Sequence, residues 1–510
     1  MSVIVIAIMA VLLGWLLLVP FKRELQVNII GLLGMSYIVG VGVYTFALYL
    51  FMLTGGKLTL TSVSLVAVIL LIVAYFSSRK SLASRYSIPL QISDWILLAL
   101  FTPLLGGNLY IAWLTPIYWP DSIFFYDGIG RIIAKDGTIN MPHLAGDMYF
   151  YGLNALSTQL IHAVTYILST DRVAVLYSGF YIAFVLMFYS FSSPPDQTAS
   201  YGKLRRLVRS LPRLVLALCV ASTPFVFAMG YVVLNGLSAA VYLFGGILVW
   251  KRFVERPSGR LALLTGILFA LCSWTRYDGV FFYCLVELLT LYIATHNKAI
   301  RQYLLVLVAV PAIMTCSRYV IVFISGQSDR FAGRTPIPFL DLWIDLVVAA
   351  LGALVYWVRP LWLRLFRMIA QWLVILGGIS IVVFIALFSG FLRSITQLGK
   401  LVSDPIWGAT LLLTIIVAFS WSLFRGVPRL LLVLVVSFVV LRIVLYAGLG
   451  GQIKPSDAAI THSGNRILLY IWPLLLYWVS CSEKMPRLFT FNSRPGGPAS
   501  KLSNYGGTSI

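Results

Sequence analysis

Long apolar runs recur from one end of this chain to the other, and they constrain the fold more than any motif does. They fall at 2–20, 29–53, 58–76, 93–114, 149–168, 173–192, 213–232, 236–250, 261–275, 279–295, 303–324, 340–357, 369–390, 406–424, 430–448 and 466–482. A helix needs about 20 apolar residues to cross a hydrocarbon core about 30 Å thick, and most of these runs approach that length. Inside hydrocarbon each backbone N–H and C=O must find a partner, which leaves helices and closed barrels as spanning structures. Barrel strands alternate apolar and polar residues, whereas these runs are continuous. Charged residues make up 11% of the chain, against about 25% in soluble proteins. The sequence predicts an all-α polytopic membrane protein with no separate soluble domain.

The net charge of +21 has a membrane explanation. Lys and Arg gather in short loops between the runs: Lys22-Arg23, Arg79-Lys80 with Arg85, Lys203 to Arg213, Lys251-Arg252, Lys298 with Arg301, Arg359 to Arg367, Arg425 with Arg429, and Lys484 with Arg487. The positive-inside rule puts these loops in the cytoplasm. No basic soluble module is present to carry nucleic acid, so nucleic acid is not an expected partner. In Met1 to Phe21 the charge follows the apolar core rather than preceding it. That order reads as a retained first span with its N-terminus outside, not a cleaved signal peptide. The chain carries no GxxxxGK[ST] motif, which argues against direct ATP coupling.

Alternation of basic loops fails at one place. A full crossing at 149–168 would put Lys203 to Arg213 outside. The run is also polar for a lipid-facing helix, with Asn154, Ser157, Thr158, Gln159 and His162. It is therefore expected to be re-entrant or interfacial, leaving about 15 transmembrane helices. The expected layout is 1–114 for N-terminal membrane helices and 115–170 for an external loop with interfacial or re-entrant helices. A membrane core follows at 171–324, then C-terminal membrane helices at 325–482 and a disordered cytoplasmic tail at 483–510.

The loop from Trp119 to Tyr151 carries four aspartates, Asp121, Asp127, Asp136 and Asp147, in a chain with 17 acidic residues. Acid beside a bilayer is costly and calls for a role. A carboxylate here can deprotonate an acceptor hydroxyl or hold a divalent cation against a phosphate. Equally plain roles exist: Asp121 as a helix cap, Asp127-Gly128 as a solvated turn, and Asp136-Gly137 as a turn dipeptide. Ile123, Phe124, Ile129, Ile132 and Ile133 suit a short helix lying in the interface. His143 can bind phosphate or relay a proton, or be a solvated loop histidine.

Three more groups fall on the same expected face. The first is Trp274-Thr275-Arg276-Tyr277-Asp278-Gly279. Arg276 either clamps a phosphate with its fork of donors or pairs with Asp278 to close the turn. The second holds Asp329, Arg330 and Arg334, and the third runs from Lys454 through His462 to Arg466. Several cations on one face suit a phosphate leaving group, although arginines at span ends are ordinary. The five cysteines lie in or beside apolar runs without a CxxC pair. They read as small buried side chains, and no metal site follows from them. Mid-span charge looks scarce apart from Arg318 and Arg442.

The run WPDSIFFYDGIGRIIAKDGTI (119–139) resembles the first external loop of bacterial GT-C superfamily glycosyltransferases that use polyprenyl-phosphate sugars. Protein O-mannosyltransferases and the aminoarabinose transferase of lipid A belong to that group. The polar-aromatic run Tyr149 to Leu168, the turn Ala221-Ser222-Thr223-Pro224 and the turn Arg276-Tyr277-Asp278-Gly279 follow in the same order. The likeness covers roughly 100–296. It departs from the family in separating Asp121 from Asp127, where adjacent acids are common, and in reading Val232-Val233-Leu234-Asn235 in a region where many members have an acid, so no role is transferred there.

The resemblance implies a GT-C-like fold and transfer of a sugar from a polyprenyl-phosphate donor to a glycan, lipid or protein acceptor. It implies an active site facing outside a bacterial cytoplasmic (inner) membrane. The catalytic candidates are Asp121 and Asp127, with Asp121 the better match. The phosphate-binding candidates are Arg276, Arg330, Arg334, His462 and Arg466, and the further substrate contacts are Tyr126, His143, Asp147 and Asp278. The resemblance fixes no cofactor and leaves a divalent cation (Mg or Mn) open, with Asp121 and Asp127 as its expected ligands. Two alternatives stand beside it. One is an O-antigen-type polymerase or ligase; the other is a lipid or solute transporter, which would want ionisable residues in mid-membrane and two related halves.

Overall fold

A computed structural model describes residues 2–82, 92–119, 121–139, 156–168, 170–191, 214–324, 339–357, 438 and 469–478. Among the described residues the regular structure is helical throughout, with no strand. Among the described residues, nine helices are long and apolar enough to cross a membrane. The chain is an α-helical polytopic membrane protein. The spans expected at 369–390, 406–424 and 430–448 lie outside the described residues, Phe438 apart.

We number the main helices α1 Ser2–Leu18, α2 Ile29–Leu53, α3 Leu60–Leu82, α4 Ile92–Leu114, α5 Gly128–Asp136, α6 Ser157–Ile167, α7 Ala174–Phe191, α8 Pro224–Met229, α9 Asn235–Glu255, α10 Gly259–Thr275, α11 Asp278–His296, α12 Leu304–Ile324, α13 Leu340–Trp357 and α14 Leu469–Trp478. The run at 213–232 is not one helix. It is helical over 214–222, turns extended at Thr223, and restarts as α8 with Pro224 in its first turn. Proline cannot supply the N–H that a continuous helix needs there. The run at 149–168 is described only from Leu156, and its helix α6 has 11 residues. Such a helix is about 16 Å long, about half the thickness of a hydrocarbon core.

The helix α2 lies at the centre, buried over most of its length, while α3 and α4 are peripheral and present apolar side chains outward. Lipid is as apolar as leucine, so helices in a membrane associate by close packing and buried hydrogen bonds. Both devices surround α2. A Cβ added at Gly40 would overlap the carbonyl of Ala10, and one at Gly14 would overlap the carbonyl of Ser36. The α1 and α2 backbones therefore touch. Tyrosine hydroxyls then donate to carbonyls on other helices: Tyr37 to Leu176 (2.6 Å), Tyr242 to Ile38 (2.9 Å) and Tyr49 to Ser317 (2.7 Å). Trp250 Nε1 donates to Thr290 (2.7 Å), tying α9 to α11.

One end of the bundle is closed by a small polar knot. Asn28 caps α2 by accepting from Gly31 N–H (3.1 Å) and donates to Asp94 (3.1 Å). Tyr189 donates to Asp94 (2.8 Å), and Ser190 to Asn28 (2.7 Å). The first turn of α2, the first turn of α4 and the last turn of α7 meet there.

The backbone contact yields a paired test. Gly40→Leu should destabilise the folded protein by about 1–3 kcal/mol or more, because a packed interface resists added volume. Gly106→Leu should be neutral, since nothing lies within 4 Å of a Cβ built there. The measurement is apparent Tm in detergent, followed by size-exclusion chromatography.

Candidate functional site

The chain between α4 and α6 builds the site. Asp121 is half-buried and precedes a π-helical turn, Ser122–Asp127, which runs into α5. Its carboxylate makes no cap hydrogen bond to that turn. The helix α5 stops at Gly137, whose φ of +67° is the left-handed conformation that glycine adopts without strain. The Gly137 carbonyl accepts from Leu58 N–H (2.8 Å), which fixes the end of α5 to the chain entering α3. Asp136-Gly137 is thus a helix stop, as its dipeptide chemistry suggests.

Gly130 lets α5 lie directly on α6, because a side chain there would meet His162 Cβ at 2.5 Å. Asp127 then faces one side of α6, where His162 and Tyr166 are one turn apart. Arg131 Nε donates to Asp127 Oδ2 (2.7 Å), and Tyr166 donates its hydroxyl to Oδ1. The Arg131 guanidinium stacks 4.3 Å from the Tyr166 ring centroid. His162 Nδ1 lies 3.6 Å from Asp127 Oδ1, just beyond hydrogen-bond reach, and its Nε2 pairs with Tyr177 Oη (3.0 Å). Asp127 is buried, so the solvated-turn reading does not hold.

Burial would push the Asp127 carboxyl up, but the approach of His162 and the hydrogen bonds from Tyr166 and Arg131 outweigh it and hold the group below its ordinary range. Burial pushes the His162 imidazole below its ordinary value, against the pull of the Asp127 carboxylate. Burial, with the same carboxylate, pushes the Tyr166 phenol up. The group is an ionised Asp127–Arg131 pair beside a neutral histidine. A guanidinium and a phenol already occupy the Asp127 oxygens, a setting that suits an ionised carboxylate and does not fit a divalent-cation ligand.

The neighbouring Tyr126 points elsewhere. It is buried and donates its hydroxyl to Asn235 Oδ1 (2.9 Å), across 109 residues of chain. Asn235 opens α9 and donates to the Thr275 carbonyl (3.0 Å) at the end of α10. Arg276 Nη1 donates to the same Asn235 oxygen (3.2 Å). Arg276 also grips Asp278 with two bonds, Nε to Oδ1 (2.8 Å) and Nη2 to Oδ2 (2.7 Å). Tyr470 of α14 donates to Asp278 Oδ1 (3.3 Å). These contacts use three of the five guanidinium N–H groups. Of the two roles open to Arg276, the pair with Asp278 is made.

The structure therefore brings Tyr126, Asp127, Arg276 and Asp278 into one connected region, with Asp121 at its entry turn. His143, Asp147, Arg330, Arg334, His462 and Arg466 lie outside the described residues. Sequence reasoning passed over four participants. Asn235 was set aside for lacking a charge, although an amide both donates and accepts and so can join two groups. Arg131 is one turn after Asp127, and His162 and Tyr166 share a helical face, spacings that signal a common partner.

Comparison with protein-family models, with curated proteins and with solved structures finds no match. The case for a function rests on the residues themselves.

Two measurements follow. Because the folded His162 binds its proton more weakly than the unfolded chain does, its contribution to stability is full above the ordinary histidine range and falls as pH drops below about 6.5. The Asp127 contribution, with a lowered folded value, is full above the ordinary carboxylate range and is lost progressively from that range down to the lowered value. Apparent Tm should decline between about pH 7 and pH 5, with a limiting slope of about 1.4 kcal/mol per unit. His162→Gln should flatten this decline; an unchanged slope in the variant would assign it to other groups. Separately, Tyr126→Phe should cost about 1–3 kcal/mol by leaving a buried Asn235 acceptor short of one donor. The cost should shrink in an Asn235→Leu background, as a double-mutant cycle on Tm would show.

Proposed function

We propose that this protein is an integral membrane glycosyltransferase of the GT-C type, moving a sugar from a polyprenyl-phosphate donor to an acceptor outside the cytoplasm. One observation carries the reading: the Tyr126–Asn235–Arg276 bridge, which joins the acidic turn before α5 to the cationic turn between α10 and α11. A transfer of this kind needs a carboxylate and a phosphate-binding cation held at a set distance, on a bundle open to lipid. The resemblance of 119–139 to the first external loop of such enzymes and the distribution of basic loops support the same reading.

In this mechanism the acceptor oxygen attacks the anomeric carbon as Asp121 takes its proton. The bond from that carbon to the phosphate oxygen breaks, and the polyprenyl phosphate leaves with the electron pair. The two remaining N–H groups of Arg276 meet the charge that develops on the phosphate. Asp127, already saturated by Arg131 and Tyr166, holds the α5–α6 platform rather than exchanging protons. The short α6 then serves as a re-entrant or interfacial element, which keeps Lys203 to Arg213 in the cytoplasm. No step passes through a metal. Arg330, Arg334, His462 and Arg466 are further phosphate ligands in this proposal, and the membrane is a bacterial cytoplasmic membrane.

A second reading, a transporter, draws on buried acids in α11 and α13, since ionisable groups inside a membrane often mark a pathway. The assay separates the two. Asp121→Asn, correctly inserted, should lose sugar transfer from a polyprenyl-linked donor by about 10²-fold or more, with donor binding retained. Arg276→Lys should weaken donor binding and transfer together. Unchanged transfer in the Asp121→Asn/Asp127→Asn double variant would sink the mechanism. Solute flux without transfer in proteoliposomes would favour the transporter.

A further inference from the structure

A polar column runs through the interface of α11, α12 and α13 and meets α10 at Ser273, one turn before Arg276. Its first layer is balanced. Arg318, 2% exposed, donates to the Ser273 carbonyl (2.9 Å), to Tyr319 Oη (3.1 Å) and to Asp341, and Tyr319 donates to Asp341 as well. The second layer lies one turn further along α13, at Asp345, which is fully buried. Tyr283 donates to its Oδ2 (2.7 Å) and sits 3.2 Å from Thr315 Oγ1. Cys284 Sγ is 3.9 Å from Asp345 Oδ1. Glu287, one turn after Cys284 on α11, is also fully buried, and among the described residues neither carboxylate oxygen has a hydrogen-bond partner. Donor atoms of Cys284, Glu287 and Asp345 all lie within 4.8 Å of one another.

This layer lacks something. A buried carboxylate without a partner is strongly disfavoured. Arg318 is committed to Asp341. Protonating Glu287 would remove its charge but leave a buried hydroxyl and carbonyl still unpaired, so a proton alone does not complete the site. A water would pair the oxygens and leave the charge. A divalent metal ion pairs the oxygens and offsets two of the three negative charges of a thiolate and two carboxylates. We propose that Cys284, Glu287 and Asp345 bind one divalent transition-metal ion of the zinc class, stapling α11 to α13 inside the bundle. A thiolate with two carboxylates is a borderline-soft, low-number donor set that suits zinc, whereas magnesium and calcium take six or more oxygens. Bonds of about 2.0–2.3 Å put tetrahedral donors about 3.5 Å apart. The 3.9 Å between Cys284 Sγ and Asp345 Oδ1 needs only a small contraction to reach that spacing. Binding displaces the thiol proton and any carboxyl proton to solvent.

The test uses the full-length chain in detergent, stripped with chelator, reloaded with Zn²⁺, desalted, and measured for metal per chain. The wild type should keep one equivalent and gain apparent Tm on loading. Glu287→Gln and Cys284→Ser, each monodisperse, should bind at least tenfold more weakly and lose that gain. Should either variant fail to fold, Co²⁺ loading of the wild type supplies a separate readout: a sulfur-to-cobalt charge-transfer band is expected, because Cys284 would be a ligand. Absence of stoichiometric Zn²⁺ in folded wild type, absence of that band, or undiminished binding in both variants would overturn the proposal. So would a protonated-carboxyl infrared band that vanishes in Glu287→Gln while no metal binds.

Discussion

Contact between the backbones of α1 and α2, at Gly14 and Gly40, is the condition on which the remaining packing rests. Helices in lipid gain nothing from hiding leucine from water, so they need surfaces that fit to the last atom or polar groups that pair. With α1 seated so closely, α2 becomes a central post. Its tyrosines then reach carbonyls on α7 and α12, and Tyr242 of α9 reaches back to it. Each such bond buries a hydroxyl where no water would compensate its loss, so it fixes a helix in rotation as well as in distance.

The candidate site inherits that rigidity through an uncharged residue. Asn235 sits at a helix start, accepts from a tyrosine and an arginine, and donates to a carbonyl. A carboxylate at that position would neutralise Arg276 outright and compete with any anionic ligand. An amide adds no second negative charge to the Arg276–Asp278 pair while still aiming the guanidinium.

Much of the helix layout was legible because polar residues bracket each apolar run. The run at 340–357 coincides with α13, and that at 29–53 with α2. The break at Thr223-Pro224 was legible for the same reason, since proline announces it. Mid-span charge was misjudged: Asp341, Asp345 and Glu287 are all buried within spans, and Arg318 is paired. One or two acids hardly dent the apolar character of an 18- or 19-residue helix, so they vanish into it; only packing shows that α11 and α13 bring their acids to one interface. Cys284 is buried, as its apolar run implies, but its approach to Asp345, 61 residues away, shows only in the fold. In the site, acids and arginines were visible by charge, whereas Asn235, His162 and Tyr166 acquire meaning only when α5 rests on α6 and α9 meets α10.

The turn before α5 holds two neighbours that face apart, Tyr126 toward α9 and Asp127 toward α6. Its third attachment is Gly137, at the far end, held by the strand of chain entering α3. Three anchors on one short helix define a plane, and a body held in a plane can neither slide along its axis nor roll. Sliding or rolling of α5 would break at least one of these bonds, so the acidic turn is coupled to three other elements of the bundle at once.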